Sequence, residues 1–406
     1  MRRRTRTMYM VPLSLLCGAL NAHAEPHTWT LAEALAHVRE RAPAVLAARA
    51  GIDEARARLR GAALGGQQNP DVDIAFGPRS SGTIDLDLGL AQRFDAPGSR
   101  PARRAAAAAA VDQATALAEQ RVRDRLRSVT LAFIDAAWRR ERANVLNDAV
   151  ATASELADVA RRRFEAGDVA GLEVNVARAS LARTQAEHQA ALGDVRAALA
   201  GIEALLGVAP GEVRDIEAAS LPDRDITAAV GSAAAQDRPD LRALTAAGRE
   251  AAEEERLARS HRRPVWGPAV RYSRDEGDHI LLGGLTVTLP AFNWGQEPEQ
   301  AARARQTRIG LEVDALRAEI AAVLHGLVAA YEHRRAALDL VTREVLPALT
   351  DNERLALRSY DEGQMPLADV LVIRREVLDA RLEAMARRRD VLATRVAIDF
   401  ESGVLR

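Results

Sequence analysis

The chain has 406 residues, of which 48% are hydrophobic, only 3% aromatic and 28% charged. Its apolar content therefore comes chiefly from Ala and Leu, which favours long, closely packed helices. All of its basic residues are arginine, and its formal net charge is −1. Leaving out the first 24 residues removes four arginines and no acid, taking the charge to −5, which speaks against a nucleic-acid partner.

Residues 1–24 read as an export signal. Arg2, Arg3, Arg4 and Arg6 form a positive start, Met8 to Leu20 a short apolar run, and Ala22-His23-Ala24 a small-x-small cleavage site. The one cysteine, Cys17, lies inside it, preceded by Leu16 where lipoprotein processing wants a small residue, so lipidation stays open. Without this segment the chain has no thiol for a disulfide, a nucleophile or a metal site. No later stretch has the ~18 consecutive apolar residues that a transmembrane helix needs.

The rest of the chain repeats one grammar. Arg41-Ala42-Pro43-Ala44-Val45 recurs as Asp237-Arg238-Pro239-Asp240-Leu241, and Phe164-Glu165-Ala166-Gly167 as Tyr360-Asp361-Glu362-Gly363, both at an offset of 196 residues. Two units follow, 25–225 and 226–406, too long for a solenoid repeat. The first is expected to contain helices over 30–41 and 43–64, strands over 69–76 and 83–94, helices over 101–163 and 170–206, and a polar connector over 207–225. The second is expected to contain helices over 226–236 and 239–260, strands over 264–273 and 280–290, and helices over 300–359 and 366–400. Thr30 and Glu33 make a capping box, and Gly167 and Gly363 stop the long helices. End to end, the helices at 43–64 and 170–206 nearly match the ~95 Å of the long one, so two short rods are expected to stack along it. The fold class is mainly α with a small β part, as an elongated coiled-coil assembly rather than a globule.

The strands show a different period. Val72, Ile74, Phe76, Ile84, Leu86, Leu88 and Leu90 share one side of a hairpin, while Asp71, Asp73, Asp85 and Asp87 take the other. Two readings are open. The hairpins cap a soluble rod, or they span a bilayer with the apolar side to lipid and the acids lining a lumen. In lipid, strands must close into a ring, and four are fewer than the ~8 of the smallest barrels, so the second reading requires several copies.

Tyr360-Asp361-Glu362-Gly363 followed by Ala368-Asp369-Val370-Leu371, Arg238-Pro239-Asp240-Leu241, and Thr286-Val287-Thr288-Leu289-Pro290-Ala291-Phe292-Asn293-Trp294-Gly295 together resemble the TolC-like outer-membrane efflux proteins, over essentially residues 28–400. The resemblance implies a homotrimer whose twelve-stranded β-barrel crosses the outer membrane, four strands per chain, above a periplasmic α-barrel. It implies a passive exit duct, not an enzyme, working with a periplasmic adaptor and an inner-membrane pump. Gln92 to Arg100 is similar to the branch that serves heavy-metal pumps, although Ser99 stands where that branch usually has Lys. By position, Asp369 and its first-repeat counterpart Glu173 would form the periplasmic gate, while Phe164, Gly167, Tyr360, Gly363 and Pro366 would form the tip turns and the adaptor contact. Val372 stands where some members carry a second gate acid.

No cofactor is implied, and no catalytic motif or metal-ligand spacing occurs; His325 and His333 are eight residues apart on a helix. A soluble periplasmic coiled-coil scaffold or adaptor is the alternative function. Heavy-metal ions, drugs and polypeptides all remain candidate cargo.

Overall fold

The computed structural model describes residues 28–78, 84–217, 237–275 and 278–404. The expected export signal, the helix expected over 226–236, the end of the connector and most of both hairpin turns lie outside the described residues.

A short strand β1 (Thr28–Trp29) leads to α1 (Leu31–Arg41), α2 (Pro43–Ala62), β2 (Asp71–Pro78), β3 (Ile84–Ala91), α3 (Ser99–Glu165) and α4 (Gly171–Leu206). After β4 (Asp215–Ile216), the second half runs α5 (Pro239–Ser260), β5 (Val265–Asp275), β6 (Asp278–Thr288), α6 (Gln296–Leu340), a π-turn (Val341–Val345), α7 (Leu346–Asp361) and α8 (Leu367–Glu401). The capping box forms: Thr30 Oγ1 accepts from the Glu33 backbone N–H at 3.2 Å, and Glu33 Oε2 from that of Thr30 at 3.1 Å. Helix α3 has 67 residues, ~100 Å at ~1.5 Å per residue, and it is the axis of the molecule.

Two shorter helices do meet end to end along α3. A Cβ on Gly207, the left-handed C-cap of α4, would lie 2.3 Å from Pro43 Cδ at the start of α2. Only glycine lets the two ends touch so closely. The second half makes the same junction with charge: Arg238, just before α5, donates from Nη1 to the Glu401 carbonyl at 3.0 Å and to its Oε2 at 2.6 Å at the end of α8.

Around the first junction lies the largest buried cluster, with Val38, Val45, Leu126, Val129, Phe133, Ile202 and Leu206. It corrects the expectation of a polar connector after Gly207, because Val213 and Ile216 are buried in that cluster. The Glu203 carboxylate accepts from the backbone N–H groups of Gly211 (2.7 Å) and Val213 (3.0 Å), folding the connector back until β4 pairs in parallel with β1.

The second long helix is not one uninterrupted α-helix from 300 to 359. It starts at Gln296 and passes through the π-turn before α7. Pro347, in the first turn of α7, has no N–H for the carbonyl four residues earlier, so the local hydrogen-bonding register widens.

The large sheet is antiparallel, in the order β2-β3-β5-β6. Where β3 ends, Gln92 and Phe94 still donate backbone N–H groups to Pro268 and Trp266, so the expected strand to residue 94 persists as pairing with β5 alone. Beneath the sheet, Glu299 accepts from Arg262 (2.6 Å), Arg303 (2.7 Å) and Arg259 (3.3 Å). Burial works to raise its carboxyl, but these arginines hold it below the usual carboxylate range.

Candidate functional site

Register, not composition alone, assigns the sheet its faces. The pairs Val72↔Leu90, Ile74↔Leu88, Phe76↔Leu86 and Pro78↔Ile84 put the expected apolar residues on one side. Leu88↔Tyr272, Leu90↔Val270, Tyr272↔Leu281, Pro268↔Leu285 and Trp266↔Val287 carry that side across all four strands. Phe76 is 78% exposed, Leu281 71% and Leu285 70%. A contiguous apolar face of this breadth is an interaction surface.

On the other side lie Asp71, Asp73, Asp85 and Asp87, with Arg271 and Ser273 from β5. The second half departs from the first here. Ile280 and Leu282 share this polar side, and the unalternating run Ile280-Leu281-Leu282 is the sequence signal for it. Sequence reasoning also missed the aromatic contacts near both ends of the sheet. At the helical end the Phe94 and Trp266 rings meet edge to face with centroids 5.3 Å apart; further out, the Tyr272 hydroxyl lies 2.6 Å from His279 Nδ1.

At the opposite end of the molecule the two helical hairpins turn. Gly167 (φ +86°) and Gly363 (φ +73°) occupy the left-handed region. Asp168 donates its N–H to the Arg163 carbonyl at 2.9 Å, and Gln364 to that of Ser359 at 2.8 Å. The same Schellman closure therefore stands at both positions 196 residues apart. Pro366 is the extended N-cap of α8 rather than a residue of its first turn.

Asp369 and Glu173 occupy the first turns of α8 and α4, where the helix dipole favours an acid. Asp369 is exposed, whereas Glu173 is half-buried, with Oε2 shielded from solvent and without a hydrogen-bond partner. Phe164 is 50% exposed.

Tyr360 corrects the expected adaptor contact. At 2% exposure it offers no surface to a partner. Its ring lies under the Arg163 guanidinium, 4.9 Å from the centroid, in a cluster with Leu156, Ala160, Ala177, Leu367 and Val370. These residues come from both halves, so Tyr360 clamps one hairpin to the other.

Residues 34–208 match the family described as outer membrane efflux protein. Nine-tenths or more of the chain superimposes on solved outer-membrane proteins. For the outer membrane protein VceC of Vibrio cholerae the TM-score is 0.76 at 18% identity, covering 92% of this chain and 96% of that one. For the CmeC outer membrane channel of Campylobacter jejuni it is 0.78 at 15% identity, covering 99% and 93%. Its first half carries the outer-membrane efflux signature, and its fold is that of the TolC-like channels.

The open state of the MtrE outer membrane channel of Neisseria gonorrhoeae has the same fold, with a TM-score of 0.71 at 17% identity over 92% of this chain and 88% of that one. No curated protein matches the sequence. The likeness to these solved outer-membrane channels is one of fold. No described helix is long and apolar enough to cross a membrane.

Proposed function

We propose that three copies of the chain join their sheets into one twelve-stranded barrel in the outer membrane, and that their helices form a periplasmic conduit below it. The duct passively exports cargo handed over by an inner-membrane pump through a periplasmic adaptor, with heavy-metal cations as the favoured cargo. The observation that carries this reading is the two-sided sheet: its apolar face is exposed across all four strands, and its outer strands β2 and β6 have no further partner among the described residues. Four strands cannot close by themselves, and an open edge in lipid leaves backbone groups unpaired at several kcal/mol each. Placing Asp71, Asp73, Asp85 and Asp87 inside the barrel gives an acidic lumen suited to cations, and three exposed Asp369 carboxylates at the far end give a second acidic ring. Glu173 supports that ring from a half-buried position.

Fractionation tests the assignment. A heat-modifiable oligomer extracted from outer membranes by detergent is expected; release of the protein by osmotic shock would identify it instead as a soluble periplasmic scaffold. Asp369→Ala is expected to raise single-channel conductance in planar bilayers and to weaken cation preference, because it removes a charged constriction. An unchanged conductance and selectivity would remove Asp369 from the gate.

A further inference from the structure

The helices nearest the sheet stand in the same order as its strands. Helix α2 packs on α3, α3 on α5, and α5 on α6, so the row α2-α3-α5-α6 follows β2-β3-β5-β6 and ends, as the sheet does, on one element from each half. Its middle contact, α3 against α5, joins the two halves within one chain. Arg249 meets Asp112 there at 3.1 Å, and Arg242 meets Glu119.

The 196-residue repeat carries each of these positions to one end of the row. On α2, Arg249 and Arg242 become Asp53 and Leu46; on α6, Asp112 and Glu119 become Arg308 and Ala315. The first ion pair reappears with its signs exchanged, and the second reappears as two apolar residues. Both members of each pair differ from their counterparts, yet complementarity survives between helices that stand at opposite ends of the row. Exposure agrees with this correspondence. Asp53, Leu46, Arg308 and Ala315 are all exposed, whereas Ile309 and Leu316, the next residues on α6, pack against α5. Ala246, between Arg242 and Arg249 on α5, is 1% exposed, but its counterpart Ala50 on α2 is open to solvent. Asp53 and Arg308 meet only Arg56 and Glu312, one turn away on their own helices, and exposed pairs of this kind hold weakly.

We propose that α6 of one copy packs against α2 of the next as α3 packs against α5 within a chain, with Arg308 pairing with the neighbouring copy's Asp53 and Ala315 covered by its Leu46. This seam rests on the three-copy barrel proposed above and continues its β6-to-β2 closure into the helices. The exchanged signs also select the joint. Docking α6 on the α5 of another copy would set Arg308 against Arg249, and docking α3 on another α2 would set Asp112 against Asp53, so only the correct joint brings opposite charges together.

Charge reversal in the full-length protein tests the seam, read as heat-modifiable oligomer in outer-membrane fractions. Asp53→Arg and Arg308→Asp should each reduce the oligomer by about fivefold or more, since like charges then meet at every seam. The two together should recover it. Asp53→Arg with Arg317→Asp, exposed on the opposite side of α6 from Arg308, restores the net charge away from the seam and should not recover it. Ala50→Trp, at a residue exposed in the single chain, should leave helical circular dichroism unchanged and abolish the oligomer. Undiminished assembly of the single variants or of Ala50→Trp, a double reversal no better than the single ones, or equal rescue through Arg317 overturns the seam and leaves the barrel standing. Failure of the unmodified protein to form an oligomer overturns the barrel reading, and the seam with it.

Discussion

Arg238→Ala is expected to destabilise the helical body by about 3–5 kcal/mol, the cost of leaving buried acids unpaired. Arg238 is 4% exposed. Its fork meets Asp240 through Nε (3.1 Å) and Nη2 (2.6 Å), while Nη1 reaches both the carboxylate and the carbonyl of Glu401. Asp240 and Glu401 have side chains 22% and 16% exposed, so water replaces the guanidinium poorly.

Beside this knot, Arg123 donates to the Phe400 carbonyl at 2.6 Å and stacks on the Phe400 ring, which ties α3 to the same helix end. Burial, with Arg238 nearby, lowers the Arg123 pKa. The Asp240 and Glu401 pairs outweigh burial at Arg238 and raise its pKa. Arg238→Lys should recover only part of the loss, because an ammonium cannot span the two oxygens of Asp240 and the Glu401 end together. Denaturant unfolding followed by helical circular dichroism checks both variants; a loss below about 1 kcal/mol, the scale of an exposed pair, would mean that the junction is held by packing alone.

Leu88→Arg is expected to stop assembly in the membrane. Leu88 lies mid-strand on the apolar face, opposite Tyr272, and an arginine on the lipid side of a barrel near the midplane costs about 2–4 kcal/mol per copy. Ser273→Arg provides the internal control. Ser273 pairs with Asp87, one step along the register from Leu88, and points to the acidic side. It should be accommodated there with its charge matched. Quantifying the heat-modifiable oligomer in outer-membrane fractions separates the two. Equal assembly of both variants would show that neither face meets lipid.

Much of this architecture is written in local chemistry. The Thr30 capping box, Pro43, Pro239 and the tip glycines mark helix ends through interactions within a few residues, and the alternation at Ile84 to Leu90 assigns strand faces with a period of two. What lay beyond reach depends on distant partners. Phe164 and Tyr360 are equivalent in sequence, but one is half exposed and the other buried beneath Arg163, because the clamp between hairpins needs an aromatic ring from only one of them. The connector after Gly207 looks polar until Glu203, eight to ten residues away, captures its N–H groups. Pro347 signals a disturbance, yet a helix interrupted by a π-turn and a helix with a plain kink share one sequence pattern. At the gate, Asp369 and Glu173 were found by position together, and their unequal exposure follows from tertiary packing that the repeat does not encode.

Disulfide trapping between the outer strands tests the shared barrel most directly, since Cys17 is the one cysteine of the chain and lies in the expected export signal. Within one chain β2 and β6 are separated by two strands, or about 14 Å at ~4.8 Å per step, well outside disulfide reach. Ile74→Cys combined in turn with Leu281→Cys, Gly283→Cys and Leu285→Cys should, in one register, yield covalent species in outer membranes that end at three chains. Species that end at two chains, or no link between chains in any register, would contradict a barrel closed by three copies.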